Sequence, residues 1–336
     1  MGCINCRVLD LAIDNNRILR IRAQMLLRAM SSLCKPIAGP FSKIQRALRL
    51  LFLTLLWIPA LTSSSEIADP SIRLQELGLK AYQMRAEGHE GARALPGPIE
   101  KSIDYFQSAL EIDPDNREAR WMLLRALYFK AEYVCEEKDE KLAIFEEGIE
   151  VADTGRAQLL SAVGYRGDEK ALTAAQIAAA LETEPEAAEI YFWSAAHWGL
   201  WGRYRGKIAA ARQGVATRVR DYAEVASLLD ESLEEAGGHR ILGRLHAEAP
   251  RLPFFTGWVD HDEAIRQLER AAEIDPDALL TKLFLAEALL DYRPKRRPEA
   301  IELLETVAQS SPDPEMLVEE TKTIADAREL LASLGV

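Results

Sequence analysis

One pentapeptide, Glu-Ile-Asp-Pro-Asp, occurs twice in the chain, at residues 111–115 and again at residues 273–277. Each copy follows a stretch in which apolar residues and small alanines recur at helical spacing. Proline ends a helix because it lacks the amide donor and clashes with the carbonyl oxygen four residues back. Because one pair of such helices cannot bury its own apolar face, the repeated ending predicts a stack of helix pairs.

The spacing of the apolar residues extends this pattern along the chain. Two C-terminal units share one pattern 36 residues apart, and an earlier unit repeats after 39 residues. No stretch alternates with the period of two that marks a strand. The sequence therefore predicts an all-α fold, an α-solenoid of about eleven or twelve helices in antiparallel, tetratricopeptide-like pairs. We expect it to form a single domain over residues 65–336.

The N-terminal part of the chain differs from the rest in charge. Residues 1–64 carry nine Lys and Arg and only two Asp and Glu, whereas residues 65–336 hold 32 basic and 51 acidic residues, a net charge of −19. Basic residues precede the apolar run 50–61 and small polar residues follow it, which is the order of a secretory signal peptide. We therefore predict a signal peptide over residues 30–64, preceded by a mis-assigned or disordered extension over residues 1–29.

Export by this leader would place the protein in the periplasm. The apolar run is shorter than the roughly 20 residues that a membrane-spanning helix needs. An uncleaved inner-membrane anchor is the alternative, because no clean small-residue cleavage site follows the run. Cys3, Cys6 and Cys34 lie in or before the leader. Only Cys135 would remain in the mature chain, so no intramolecular disulfide could form there.

Composition and motifs argue against several classes of function. The acidic surface expected for residues 65–336 repels phosphate backbones, so nucleic acid is not an expected partner. The sequence has no HExxH zinc motif, no GxSxG nucleophile elbow, no P-loop and no Rossmann glycine pattern. We therefore predict a non-enzymatic protein with no catalytic residues, no metal site and no cofactor.

The densest unusual feature is the segment 191–207, which holds six aromatic rings and one histidine. A helix that is apolar all round is normally enclosed by its neighbours, which favours a central core helix. The other interpretation is that some of its rings line a cleft for a small organic ligand, with indole N–H groups and the imidazole as polar contacts. The candidate binding residues are Tyr191, Trp193, His197, Trp198 and Trp201.

Six basic residues lie within residues 203–220, on an otherwise acidic part of the chain. One interpretation is a solvated helix face that pairs with neighbouring carboxylates. The other is a docking patch for an acidic partner or a carboxylate ligand, because the planar guanidinium binds a carboxylate through two hydrogen bonds. We take Arg203 and Arg205 as candidate binding residues. The amphipathic helix that follows is expected to break at Gly237 and Gly238.

The order of features in the central segment resembles that of one family. The aromatic segment 191–201 is followed by a basic helix, the Gly237-Gly238 break, the phrase HRILGRLHAEAP at 239–250 and a tetratricopeptide-like pair at 262–276. This order is similar to that of the T-component family of TRAP transporters, small tetratricopeptide-like periplasmic proteins, over residues 74–307. The resemblance implies an accessory binding or adaptor protein of a TRAP-type solute transport system. Such a protein would dock the substrate-binding P-subunit or hold a small ligand in a helix-lined cleft.

The resemblance also implies which residues lie near the internal pore or cleft described for the family. They are Tyr191, Trp198, Trp201, Arg203 and Arg205. Some relatives are lipoproteins, but no cysteine follows this leader at a lipid-attachment spacing. The alternative function is a tetratricopeptide scaffold for protein assembly in the cell envelope. The expected partner is thus the P-subunit or another periplasmic protein, and the sequence leaves homo-oligomer formation open.

Overall fold

The computed structural model describes residues 69–253 and 256–335. The predicted N-terminal extension and signal peptide lie outside the described residues. Within these ranges the regular structure is helical, with thirteen α-helices and no strand, and none of the helices is both long and apolar enough to span a membrane. The helices are α1 Pro70–Gln83, α2 Pro96–Ile112, α3 Arg117–Tyr133, α4 Lys138–Ala162, α5 Ala174–Leu181, α6 Ala187–Arg205, α7 Lys207–Arg212, α8 Val215–Leu229, α9 Leu233–Glu248, α10 His261–Ile274, α11 Leu279–Tyr292, α12 Arg297–Gln309 and α13 Leu317–Leu334.

The helices pack as consecutive pairs. The pairs are α1 with α2, α3 with α4, α6 with α8, α9 with α10, and α11 with α12, and α13 closes the series against α12 and α11. The connections of α3 with α4 and of α11 with α12 are only four residues long, as is typical of antiparallel helix pairs. The predicted all-α solenoid is thereby confirmed. The described part holds more helices than expected, because the short α5 and α7 are inserted on either side of α6 and add to the eleven helices of the stack.

The two copies of the repeated pentapeptide build the same turn. Helices α2 and α10 both end at the isoleucine before Asp-Pro. In the first copy the Asp113 amide donates to the Ala109 carbonyl oxygen at 2.9 Å, and the Asp115 amide donates to the Asp113 carboxylate at 3.0 Å. In the second copy the Asp275 and Asp277 amides form the equivalent bonds, both at 3.0 Å. In each copy the carboxylate of the first aspartate therefore accepts a backbone amide of the turn that its proline imposes.

Helix α6 lies at the centre of the stack, in contact with α3, α4, α8 and α9. Most of its side chains are buried on every face, as expected for a helix with aromatic residues all round. Close approach to α4 depends on glycine. A Cβ atom at Gly148 would overlap the His197 ring, and one at Gly155 would lie 3.1 Å from Cγ2 of Ile190.

The expected helix break at Gly237-Gly238 is not where the chain turns. Both glycines lie inside α9 and are buried. Their role is close packing, since a Cβ atom at Gly237 would overlap the Phe192 ring and one at Gly238 would overlap Oγ of Ser227. The irregular backbone lies just before them, at residues 234–236, which all have φ between 50° and 59°. Non-glycine residues rarely adopt this left-handed conformation, so glycine content alone pointed to the wrong place.

We predict that Gly148→Ala destabilises the protein. The added methyl group would displace the His197 ring, and overpacking of this kind costs about 1–3 kcal/mol. Urea unfolding measures the loss. Gly97→Ala is the matched control, because a Cβ atom there has nothing within 4 Å and should change stability by less than about 0.5 kcal/mol. Equal stability of both variants would contradict the close contact of α4 and α6.

Candidate functional site

The inner helices of the stack enclose a cavity of about 390 Å³. These helices are α1, α3, α6, α9, α11 and α13, each in contact with the next along the inner layer. Helices α7 and α8 complete the wall beside α6. The apolar lining includes Tyr82, Phe129, Phe192, Trp193, Leu200, Val219, Ile241, Leu245, Phe284 and Met316. A mostly apolar concavity with a few polar groups is the usual form of a small-molecule site.

The first and last helices of the described part meet at one side of this cavity. Arg85, just after α1, forms an ion pair of 2.8 Å with Glu319 of α13. The Arg85 guanidinium also donates to the Glu315 carbonyl oxygen and lies 4.5 Å from the centre of the Tyr82 ring. Only 6% of Arg85 is exposed, so its charge depends on these partners. These contacts close the inner layer into a ring.

The unusual start of α9 places two carboxylates on the cavity wall. Arg240 donates to the carbonyl oxygens of Glu234 and Glu235, at 3.0 and 2.9 Å, and so supports the left-handed turn. The Glu234 side chain pairs with Arg125 of α3 at 3.4 Å, and the Glu235 side chain lies 3.7 Å from Arg240. Burial raises the pKa of Glu234, and Arg125 offsets part of this rise.

The remaining cations of the cavity lining fall into two groups. Arg244 forms ion pairs with Glu248 and Glu287, so it is neutralised like Arg125 and Arg240. Arg203 at the end of α6 and Lys207 at the start of α7 also line the cavity, but both are exposed and neither has an ion-pair partner within the described ranges. The unpaired positive charge of the lining is therefore concentrated where α6 meets α7, whereas Glu320 of α13 is a lining carboxylate without an ion-pair partner in the described ranges.

Among the predicted aromatic site residues, Trp193 lines the cavity. Its ring packs edge-on against Tyr128 of α3, with 5.2 Å between the ring centres. The Trp193 side chain is buried, and its indole Nε1 has no hydrogen-bond partner in the part of the chain that the structure describes. A buried donor without a partner is uncommon because it loses its bond to water.

The other aromatic candidates lie away from the cavity. Tyr191 donates to Glu169 at 2.7 Å on the side of α6 that faces Tyr222 of α8. Trp201 donates to Glu146 of α4 at 3.0 Å. Trp198 is buried, and the guanidinium of Arg218 lies 4.4 Å from its ring centre.

His197 lies in the core between α3 and α4. It is fully buried, and its Nε2–H donates to the Leu124 carbonyl oxygen at 2.9 Å. Burial lowers the pKa of His197 to about 4, and the hydrogen bond to Leu124 opposes part of this shift. The imidazole is therefore neutral at ordinary pH, and its position is that of a packing residue.

The two arginine candidates are separated by the helix geometry. Arg203 lies on the same face of α6 as Trp193 and Leu200, and it reaches the cavity. Arg205 is exposed and is not part of the lining, because two residues along a helix turn the side chain by about 200°. The two arginines are only two residues apart in the sequence, but only Arg203 lines the cavity.

Sequence reasoning did not identify the cavity residues outside α6. They come from helices far apart along the chain, and the ring closure that brings α1 and α13 together leaves no local signal. One sign was available on α6, where Ala196, Gly199 and Leu200 separate Trp193 from Arg203 on one helix face. Within the described residues no group of three or more His, Cys, Asp or Glu side chains could hold a metal ion.

Neither a protein-family model nor a curated relative matches the sequence. Among solved structures, the crystal structure of a thermophilic TPR protein in Thermus thermophilus is similar, with a TM-score of 0.46 and 16% sequence identity. The similarity covers 76% of this chain and 99% of that chain. Membership of the T-component family therefore stays a prediction.

We predict that His197 makes stability depend on pH. Its pKa is about 4 when folded and 6.5 when unfolded, so the unfolded chain takes up a proton first as the pH falls. The stabilisation is complete above pH 6.5 and is lost towards pH 4, by about 3 kcal/mol for this shift. Urea unfolding at several pH values, compared with His197→Gln, measures it. An identical pH dependence in both proteins would refute this role.

We predict that Glu319→Gln costs about 3 kcal/mol of stability, because it leaves the buried Arg85 charge without a counterion. The double variant Arg85→Met with Glu319→Leu removes both charges and should recover most of the loss. Chemical denaturation of the parent, of the single variants Arg85→Met and Glu319→Leu, and of this double variant gives the coupling energy. A loss of less than about 1 kcal/mol in Glu319→Gln would show that the ring is not held at this pair.

Proposed function

We propose that the protein is a binding protein for amphipathic organic anions, which it holds in the central cavity. The observation that carries this proposal is the charge pattern of the lining. Arg125, Arg240 and Arg244 each have a glutamate partner, whereas Arg203 and Lys207 have none in the described ranges. Two unpaired cations at the edge of an apolar cavity form a natural site for a carboxylate.

The wall beside these cations suits the apolar part of such a ligand. From Trp193 to Arg203 the lining face of α6 rises about 15 Å over ten residues. Between them lie Ala196, Gly199 and Leu200, and Leu245 of α9 and Phe284 of α11 also line the cavity. The small residues leave room and the larger ones supply apolar contact. The volume of about 390 Å³ is within the range typical of sites for small molecules.

Trp193 gives the ligand aromatic surface. The residue lines the cavity, whereas its indole Nε1 is itself buried and has no hydrogen-bond partner among the described residues. The site therefore selects a molecule with an anionic end and an apolar body that can pack against aromatic rings.

We further propose that the protein acts in the periplasm as an accessory of a TRAP-type solute transport system. Support comes from the predicted leader and from the resemblance of residues 74–307 to the T-component family. Affinity purification from an envelope extract tests this context. Co-purification of a P-subunit supports it. Recovery of large protein assemblies with an empty cavity would instead favour the alternative function of a scaffold.

We predict that Arg203→Gln weakens binding of decanoate at least tenfold, about 1.4 kcal/mol, because it removes one of the two unpaired cations. Titration calorimetry measures the affinity. Arg205→Gln is the matched control, since it removes the same charge two residues away and outside the cavity. Its affinity should stay within about twofold of the parent.

Two results would overturn the proposed function. One is absence of any decanoate or arylalkanoate binding to the folded parent protein. The other is an equal effect of the Arg203 and Arg205 variants, which would indicate a general surface charge effect that salt screens. If neither result is found, mass spectrometry of small molecules extracted from the purified protein identifies the natural ligand.

A further inference from the structure

Helix α7 differs from every other helix that borders the cavity. It has only six residues, Lys207–Arg212, and none of them is buried. Within the described ranges no side-chain hydrogen bond or ion pair joins it to another element, and its backbone bonds stay between residues 206 and 214. A segment with few buried contacts opens at low cost in free energy.

A glycine with positive φ lies on each side of α7. Gly206 has φ 97° and ψ 152°, and Gly214 has φ 67° and ψ 27°. A Cβ atom at either position would have nothing within 4 Å, so packing does not require glycine there. The requirement is conformational, since other residues rarely adopt these backbone angles. Such glycines at both ends are suited to act as hinges.

The other inserted helix shows that a short helix need not be loose. Helix α5 has eight residues and begins with a capping box, in which Thr173 and Gln176 bond to each other's backbone. It buries Ile177, Ala178 and Leu181 against its neighbours. Helix α7 has no side-chain cap and presents Ala210 and Ala211 to the cavity, which bury little apolar area.

We propose that α7 is a lid hinged at Gly206 and Gly214, which opens to admit the ligand and on closing brings Lys207 onto its anionic end. This inference rests on the proposed function, because Lys207 is one of the two unpaired cations of the lining. Lys207 is the first residue after the hinge, so its ammonium group moves with the lid. Arg203 stays on the fixed helix α6 and holds the anion while the lid closes.

A disulfide between α6 and α7 tests the lid directly. A Cβ atom at Gly202 would lie 3.5 Å from Cβ of Ala210, which is within the range found in disulfides. The same atom would lie 2.9 Å from Cγ1 of Val215, so Val215→Ala is included in every protein of the series. The test protein is the full chain with Gly202→Cys and Ala210→Cys, and with Cys3, Cys6 and Cys34 replaced by serine.

Decanoate binding is followed by stopped-flow tryptophan fluorescence. Oxidation should slow association and dissociation at least tenfold, and reduction should restore both rates. The affinity of the oxidised double variant should stay within about threefold of that of its reduced form, because the disulfide fixes the closed position. The protein with only Ala210→Cys is the control and should not respond to oxidation. Unchanged rates in the fully oxidised double variant would overturn the lid.

Hydrogen exchange of the ligand-free protein separates failure of the lid from failure of the proposed function. We expect amides 210–213, which are hydrogen-bonded in the closed position, to exchange at least tenfold faster than the central amides of α5, and oxidation of the double variant to slow them. Protection of α7 equal to that of α5 would refute the hinges even if decanoate binds. Fast exchange of α7 without any decanoate binding would support a hinged segment but refute the proposed ligand and the role of Lys207.

Discussion

The close packing of α6 against its neighbours determines the rest of the structure. Three of its side chains fit against glycines on adjacent helices: His197 at Gly148, Ile190 at Gly155 and Phe192 at Gly237. At each contact a Cβ atom would be too close, so the rotation of α6 about its axis is fixed. That rotation points Trp193, Leu200 and Arg203 towards the cavity and Tyr191 and Trp201 away from it. Which face of the helix lines the cavity is thus a consequence of how the helix packs against its neighbours.

The sequence was most informative where the relevant physics is local. Proline ends a helix wherever it occurs, so the Asp-Pro endings of α2 and α10 and the paired all-α architecture could be predicted. The start of α9 could not, because the left-handed turn at residues 234–236 depends on Arg240 reaching back to two carbonyl oxygens. The aromatic segment 191–207 was unusual in composition, but the periodicity of a helix does not show which of its faces lines a cavity. Nothing in the sequence distinguished Arg203 from Arg205 as candidate binding residues. In the structure the turn of α6 places Arg203 on the cavity lining and Arg205 outside it.

The cavity shows how an apolar space can contain many ionic groups without a strong net field. Most of its charges are matched across helices, as in the pairs of Arg125 with Glu234 and Arg85 with Glu319. Such pairs add little net stability, but loss of one partner leaves a buried charge uncompensated. Arg203 and Lys207 are the cations of the lining that have no carboxylate partner in the described ranges. In the proposed function these two cations would bind the anionic end of the ligand, and the apolar wall would hold the rest of it.

The contact of Arg85 with α13 has a consequence for how the array can evolve. In an open solenoid, repeats can be gained or lost at little cost, because each unit touches only its neighbours. Here an additional helix pair would carry α13 away from Arg85, and a missing pair would make the two ends collide. Closure of the ring therefore favours a fixed number of helix pairs between α1 and α13, and short inserts such as α5 and α7 can be added without breaking it.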